Sequence, residues 1–203
     1  AERSAWLVHY STDYVFDGSG TRPWTEDDAT GPLSVYGRTK LAGEDAIRAS
    51  GARHLIFRTS WVYASRGNNF ARTMLRLAAE RETLRVIDDQ IGAPTGADLI
   101  ADITAHALRQ AMAQDITGTF HLAPAGHTSW HGYAQFVFES ARRLKPEVPL
   151  KVQTVEAIPT TAYPTPAQRP LNSRLDTTRL QATFGLQLPH WHTGVLRMLH
   201  ETL

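Results

Sequence analysis

Trp6-Leu7-Val8-His9-Tyr10-Ser11-Thr12-Asp13, Ser34-Val35-Tyr36-Gly37-Arg38-Thr39-Lys40 and His54-Leu55-Ile56-Phe57-Arg58-Thr59 are the three pieces of sequence on which the fold turns. The first is apolar on both faces from Trp6 to Tyr10 and is bounded by Ser11-Thr12-Asp13, a pattern that suits a buried parallel strand. Ser34 is a good N-cap for a helix over about Val35 to Ala49, which Gly51 ends. The third piece reads as the next strand, so the three form a β-α-β unit of a doubly wound sheet. A buried parallel strand needs neighbours on both sides, and only five residues with no initiating Met precede Trp6. The chain is therefore expected to be the C-terminal part of a longer protein.

Working outward, the alternation continues. The spacing predicts a helix from about Asn69 to Glu80, a strand at Leu84–Ile87, a helix from about Ala97 to Met112, a strand near Thr119–Leu122 and a helix from about Trp130 to Leu144. Pro146, Pro149, Pro159, Pro164, Pro166 and Pro170 then leave room only for short strands and ordered loops. Two short helices, near Asp176–Phe184 and Thr193–Glu201, close the chain. The expected class is α/β: the C-terminal part of a doubly wound, Rossmann-like parallel-sheet domain over residues 1–145, with interleaved substrate-site segments. Residues 146–203 are expected to be mainly a smaller α+β substrate-binding region and the closing helices.

Composition narrows the function. A chain of 203 residues, 42% hydrophobic and 20% charged, with a net charge of +1, is a globular sequence with no basic run for nucleic acid or a membrane surface. No apolar stretch approaches the roughly 18 residues of a membrane span, and Ala1-Glu2-Arg3-Ser4 is not a signal peptide. With no cysteine, disulfides, thiol catalysis and thiolate metal sites are excluded, in keeping with a cytoplasmic protein.

Only three of the 21 basic residues are lysines, Lys40, Lys145 and Lys151. Lys40 stands four residues after Tyr36, so the two side chains share a helix face one turn apart. Taken alone, the pair reads more simply as a solvated i,i+4 contact. Thr12 shifts the balance, because it lies at the end of the preceding strand, where open α/β sheets bind ligands. A phenol, an ammonium and a hydroxyl there make a proton-transfer set for a carbonyl and its alcohol. Free tyrosine, with a pKa of about 10, is too weak an acid for work near neutrality, and a nearby cation lowers it. No side chain supplies hydride, so the set implies a nicotinamide cofactor.

Ser11-Thr12-Asp13-Tyr14-Val15-Phe16-Asp17-Gly18, the Tyr36–Lys40 pair and Arg58-Thr59-Ser60-Trp61-Val62-Tyr63 together resemble the extended short-chain dehydrogenase/reductases. Gly67-Asn68-Asn69-Phe70, Asp89-Gln90-Ile91-Gly92-Ala93-Pro94-Thr95 and Arg169-Pro170-Leu171-Asn172-Ser173-Arg174-Leu175 extend the likeness over nearly the whole chain, most of all to the dTDP-4-dehydrorhamnose reductase family. That resemblance implies NADPH- or NADH-dependent reduction of the 4-keto group of dTDP-4-dehydro-L-rhamnose to dTDP-L-rhamnose. It implies catalytic roles for Thr12, Tyr36 and Lys40, with Tyr36 as proton donor. It further implies cofactor contacts from Tyr10, Tyr36 and Lys40, and a nucleotide-sugar site lined by Thr12, Asp13 and Trp61. Trp61 also fits a core aromatic, and Arg169 and Asn172 fit either a substrate contact or a structural loop at Pro170.

The family's glycine-rich dinucleotide loop is absent from these residues, since Gly18-Ser19-Gly20 runs into Pro23 without opening a helix. The 203 residues alone are accordingly expected not to turn over. The resemblance also raises a homodimer, with a magnesium contact at Asp98 and Glu201, against which stands a reading of two solvated carboxylates. His127, His131, His190 and His192 have poor spacing for zinc. Glu26-Asp27-Asp28 reads as a solvated loop, and Tyr133, Phe136, Val137, Ser140 and Leu144 as a core-facing helix stripe. Two rivals remain: a nucleotide-sugar 4-epimerase or 4,6-dehydratase, opposed by Tyr14 where dehydratases resemble a Thr-Asp-Glu run, and a non-catalytic regulatory subunit, which would not need Thr12, Tyr36 and Lys40 together.

Overall fold

The computed structural model describes residues 5–163, 165 and 167–203; Ala1 to Ser4, and Pro164 and Pro166 of the proline-rich segment, lie outside the described residues. In chain order the elements are β1 (Leu7–Thr12), a 3-10 turn (Asp13–Val15), α1 (Val35–Ala49), β2 (His54–Thr59), β3 (Val62–Tyr63) and α2 (Phe70–Glu80). Next come β4 (Thr83–Ile87), β5 (Ile91–Gly92), β6 (Thr95–Gly96), α3 (Ala97–Gln114), β7 (Gly118–His121), β8 (Thr128–Ser129) and α4 (Trp130–Leu144). Then follow β9 (Thr154–Ile158), a second 3-10 turn (Thr160–Ala162), α5 (Thr178–Phe184) and α6 (Trp191–Thr202).

The main sheet runs β1-β2-β7, all parallel, in a register that sets Thr12 beside Thr59 and Arg58 beside His121. This brings the C-terminal ends of all three strands to one edge. β2 is buried on both faces, as its run of Leu55, Ile56 and Phe57 dictates. β1 is less covered among the described residues. Leu7 and Tyr10 are 41% and 42% accessible, Val8 packs on the core beside β2, and Ser11 and Thr12 are buried. Among the described residues β1 pairs with β2.

The proline-rich segment yields one strand, β9, which pairs in parallel with β4. Around β4, α2, α4 and α6 gathers one hydrophobic core, including Met74, Val86, Tyr133, Val137 and Leu199. A second core, with Leu55, Phe57, Ile103, Phe120 and Phe184, joins β2 and β7 to α3 and α5. Tyr133, Val137 and Ser140 of the α4 stripe are buried as read.

α1 begins where Ser34 predicts, the hydroxyl accepting from the Gly37 amide at 3.1 Å. Gly37 is there for a second reason: a Cβ on it would lie 2.2 Å from the Tyr14 carbonyl oxygen. The helix therefore rests directly on the turn that follows β1.

Candidate active site

Thr12 ends β1 and caps the 3-10 turn. Its Oγ1 accepts from the Tyr14 amide at 3.2 Å and donates to Asp13 Oδ1 at 3.0 Å. Asp13 is buried, and its Oδ2 has no partner among the described residues. Burial pushes its pKa up to about 6, against the lowering effect of the Ser173 and Thr12 hydroxyls. The strand end thus offers one hydroxyl and one carboxyl close to neutrality.

α1 lies against this turn and presents Tyr36 and Lys40 one turn apart. Tyr36 is 53% exposed, its ring meeting Tyr14 edge-on at 5.7 Å. Lys40 Nζ donates to the backbone carbonyl of Tyr10, which ties the ammonium to β1. That is its one protein partner among the described residues, so two of its three N–H groups remain for ligand oxygens. Tyr10 turns its ring onto Phe57 and shares a 2.9 Å hydrogen bond with Thr104 of α3.

A polar cluster that sequence reasoning did not find fixes this geometry from below. Glu44, one further turn along α1, is 0% exposed, and Arg58 on β2 is 3% exposed. Arg58 Nε and Nη2 donate to Glu44 at 3.0 and 2.7 Å, Arg48 adds a contact at 2.5 Å, and the Ser11 hydroxyl donates to the same carboxylate. Burial works to raise the Glu44 pKa, but Arg58, Ser11 and Arg48 together outweigh it and hold the carboxyl below its ordinary value. The guanidinium lies 5.1 Å from the Phe16 ring centre, and Phe16 stacks on Trp24 at 4.7 Å. His121 completes the group: burial and Arg58 push its pKa down to about 3, so it stays neutral. One signal was legible, a charge inside the otherwise apolar strand His54–Thr59, which demands a buried counter-ion.

Trp61 follows Thr59 by two residues, is partly exposed, and stacks on Trp130 with centroids 3.6 Å apart. Asn172 resolves toward a structural role. It is buried, its amide nitrogen donates to the carbonyls of Ser19 and Arg22, and its Oδ1 accepts from Arg174. Arg169 is exposed, and its charge bears on Tyr14. Glu26-Asp27-Asp28 is not a freely solvated patch: Glu26 and Asp27 pair with Arg179, and Asp28 with Arg22 at 2.6 Å. Asp98 and Glu201 both reach Arg197 at 3.2 Å, so their charges are answered by a guanidinium. Among the described residues no three His, Asp or Glu side chains gather as a metal site.

The pattern defining the RmlD substrate binding domain family matches residues 1–203. The dTDP-4-dehydrorhamnose reductase of Escherichia coli K12 is 61% identical over 201 residues, 98% of this chain and 67% of that protein. The chain belongs to the dTDP-4-dehydrorhamnose reductase family. Two solved reductases of the family have the same fold. That from Clostridium acetobutylicum superposes with a TM-score of 0.87 at 34% identity, over 97% of this chain and 65% of its own. That from Bacillus anthracis, in complex with NADP, gives 0.84 at 35%, over 98% and 66%. The chain thus spans about two thirds of the length of these family members.

A nicotinamide cofactor fits the family and fits the donor set. The free N–H groups of Lys40 and the exposed phenol of Tyr36 are the partners that ribose hydroxyls and a reacting oxygen need. Among the described residues no helix is long and apolar enough to cross a membrane.

Proposed function

We propose that the protein, at its full length, reduces the 4-keto group of dTDP-4-dehydro-L-rhamnose to dTDP-L-rhamnose, with NADPH or NADH as reductant and Tyr36 as proton donor. What supports this reading is that α1, which carries exposed Tyr36 and Lys40, rests on the turn after Thr12 and is tied to β1 through the Tyr10 carbonyl, in a chain 61% identical to the E. coli reductase. The nicotinamide, when bound, supplies hydride to the keto carbon.

Lys40 would hold the ribose hydroxyls, with Tyr10 beside it at the strand end. Tyr36 would donate its phenolic proton to the oxygen on which charge develops. Thr12 would turn its hydroxyl from Asp13 to that oxygen, and Asp13 and Trp61 would line the sugar-nucleotide site. Elimination lacks its extra carboxylate, because Tyr14 follows Asp13 and packs on Tyr36. The same reading gives residues 1–145 to the dinucleotide-binding domain and 146–203 mainly to substrate binding. It includes a homodimer in the cytoplasm and leaves magnesium out.

Tyr36→Phe in the full-length protein tests it. NADPH oxidation with dTDP-4-dehydrorhamnose should slow by about 100- to 10,000-fold, while cofactor affinity is retained. A loss smaller than about tenfold removes Tyr36 from the role.

A further inference from the structure

Trp61 adopts a left-handed backbone, φ +48°, a conformation that bulky residues hold only when their surroundings impose it. Three contacts impose it here. One indole face lies on Trp130, 3.6 Å away and tilted by 13°. Its edge abuts Gly92, where a Cβ would stand 2.7 Å from indole Cε2. Its carbonyl accepts from the Thr95 amide at 3.2 Å.

Trp130 is itself fixed. Its Nε1 donates to Gln90 Oε1 at 3.0 Å, Gln90 Nε2 donates to Thr160 Oγ1 at 3.0 Å, and that hydroxyl donates to Asp89 Oδ1 at 2.6 Å. Each link uses a donor on one side and an acceptor on the other, and the series ends on a carboxylate. The orientation of the Gln90 amide is therefore determined, and with it the plane of Trp130. Asp89-Gln90-Ile91-Gly92-Ala93-Pro94-Thr95, conspicuous in the sequence, thus supplies the relay's terminus, the amide, the clearance and the backbone donor that together orient one indole.

We propose that Trp130, Gln90 and Gly92 are positioning residues for substrate: they hold Trp61 in a fixed plane against which the apolar face of the sugar ring of the nucleotide sugar stacks. The inference rests on the reading above that Trp61 lies in the substrate site. The sugar is the moiety favoured because Trp61 follows Thr59, which is in register with Thr12, the hydroxyl assigned to the reacting oxygen. A pre-set indole spares the ordering cost that a mobile one would add on binding, so the effect falls on KM rather than on proton transfer.

The test uses the full-length protein with dTDP-4-dehydrorhamnose and NADPH, and compares Gly92→Ala, Gln90→Leu, Trp130→Phe and Trp61→Ala. Two readouts are taken, the separate kcat and KM values and the exciton couplet that stacked indoles give in circular dichroism. Gly92→Ala and Trp130→Phe should abolish or weaken the couplet and raise KM about tenfold or more, with kcat within about threefold. Gln90→Leu, which leaves the Trp130 N–H unpaired, should do the same to a smaller degree. If Gly92→Ala does not fold, Gln90→Leu and Trp130→Phe decide the matter. A lost couplet with unchanged KM, an unchanged couplet in all three, or a fall in kcat alone overturns the inference. Should Trp61→Ala itself leave KM unchanged, the placement of Trp61 in the substrate site fails; should it raise KM while the seat variants do not, only the positioning role fails.

Discussion

Glu44→Gln isolates the buried cluster under the active-site helix. The substitution keeps the volume of a fully buried side chain and removes its charge, leaving Arg58, 3% exposed, without its principal counter-ion. Arg58 Nη1 already lacks a partner among the described residues, so little is available to absorb the charge. Breaking one half of a buried pair costs about 3–5 kcal/mol. For a domain of this size that is a fall in Tm of roughly 6–20 °C. Urea denaturation followed by circular dichroism should show a lower midpoint with unchanged slope. Because the folded Glu44 carboxyl titrates below its ordinary value, its contribution is present above about pH 4.5 and is lost as pH falls through the folded pKa. Glu44→Gln should therefore flatten the acid limb of stability. Replacing both partners, Glu44→Met with Arg58→Met, should recover most of the loss, since no charge is then stranded. A single variant within about 1 kcal/mol of the parent, or a double variant worse than either single, would refute the reasoning.

Lys40→Met and Lys40→Arg should both lose at least about 100-fold in kcat/KM, because the planar guanidinium cannot give one N–H to the Tyr10 carbonyl and keep an ammonium's reach toward ribose; near-normal activity in the arginine variant would remove the ribose contact. Asp13 has a folded pKa raised to about 6 from 3.8, so its favourable contribution is complete below pH 3.8 and lost as pH rises through 6. Asp13→Asn should accordingly be more stable than the parent at pH 7.5 by up to roughly 3 kcal/mol and indistinguishable near pH 3.5, and an equal gap at both pH values in denaturant titrations would contradict it. Gly37→Ala must push α1 off the Tyr14 carbonyl, and should lower both Tm and kcat; unchanged kinetics would show that this contact does not set the position of Tyr36.

The elements of the candidate site were legible because their signals are local. Ser34 marks the start of α1 by a side-chain cap on the amide three residues on. The apolar run of β2 and the Tyr36–Lys40 spacing needed no tertiary information. β3, β5, β6 and β8 were missed because two residues cannot display a period of two. β9 was left unspecified among prolines, and only its partner β4 gives it a register. Glu44 looked like any helix-face acid, and its burial follows from Arg58, fourteen residues downstream. The Trp61 seat was invisible for the same reason, being assembled from positions 61, 90, 92, 130 and 160.

That last spread has a consequence for how the protein is made. Thr12, Tyr36, Lys40 and the Glu44–Arg58 pair all lie within the β1-α1-β2 unit, complete once Thr59 has cleared the ribosome exit tunnel. The indole seat needs Thr160, about a hundred residues later, an interval of roughly 5–20 s at ordinary rates of synthesis. On the function proposed above, the nascent chain in that interval would carry the acid–base group with no ordered surface to hold a sugar against it. Competence to recognise substrate would then be the later acquisition, arriving with the relay that closes on Asp89.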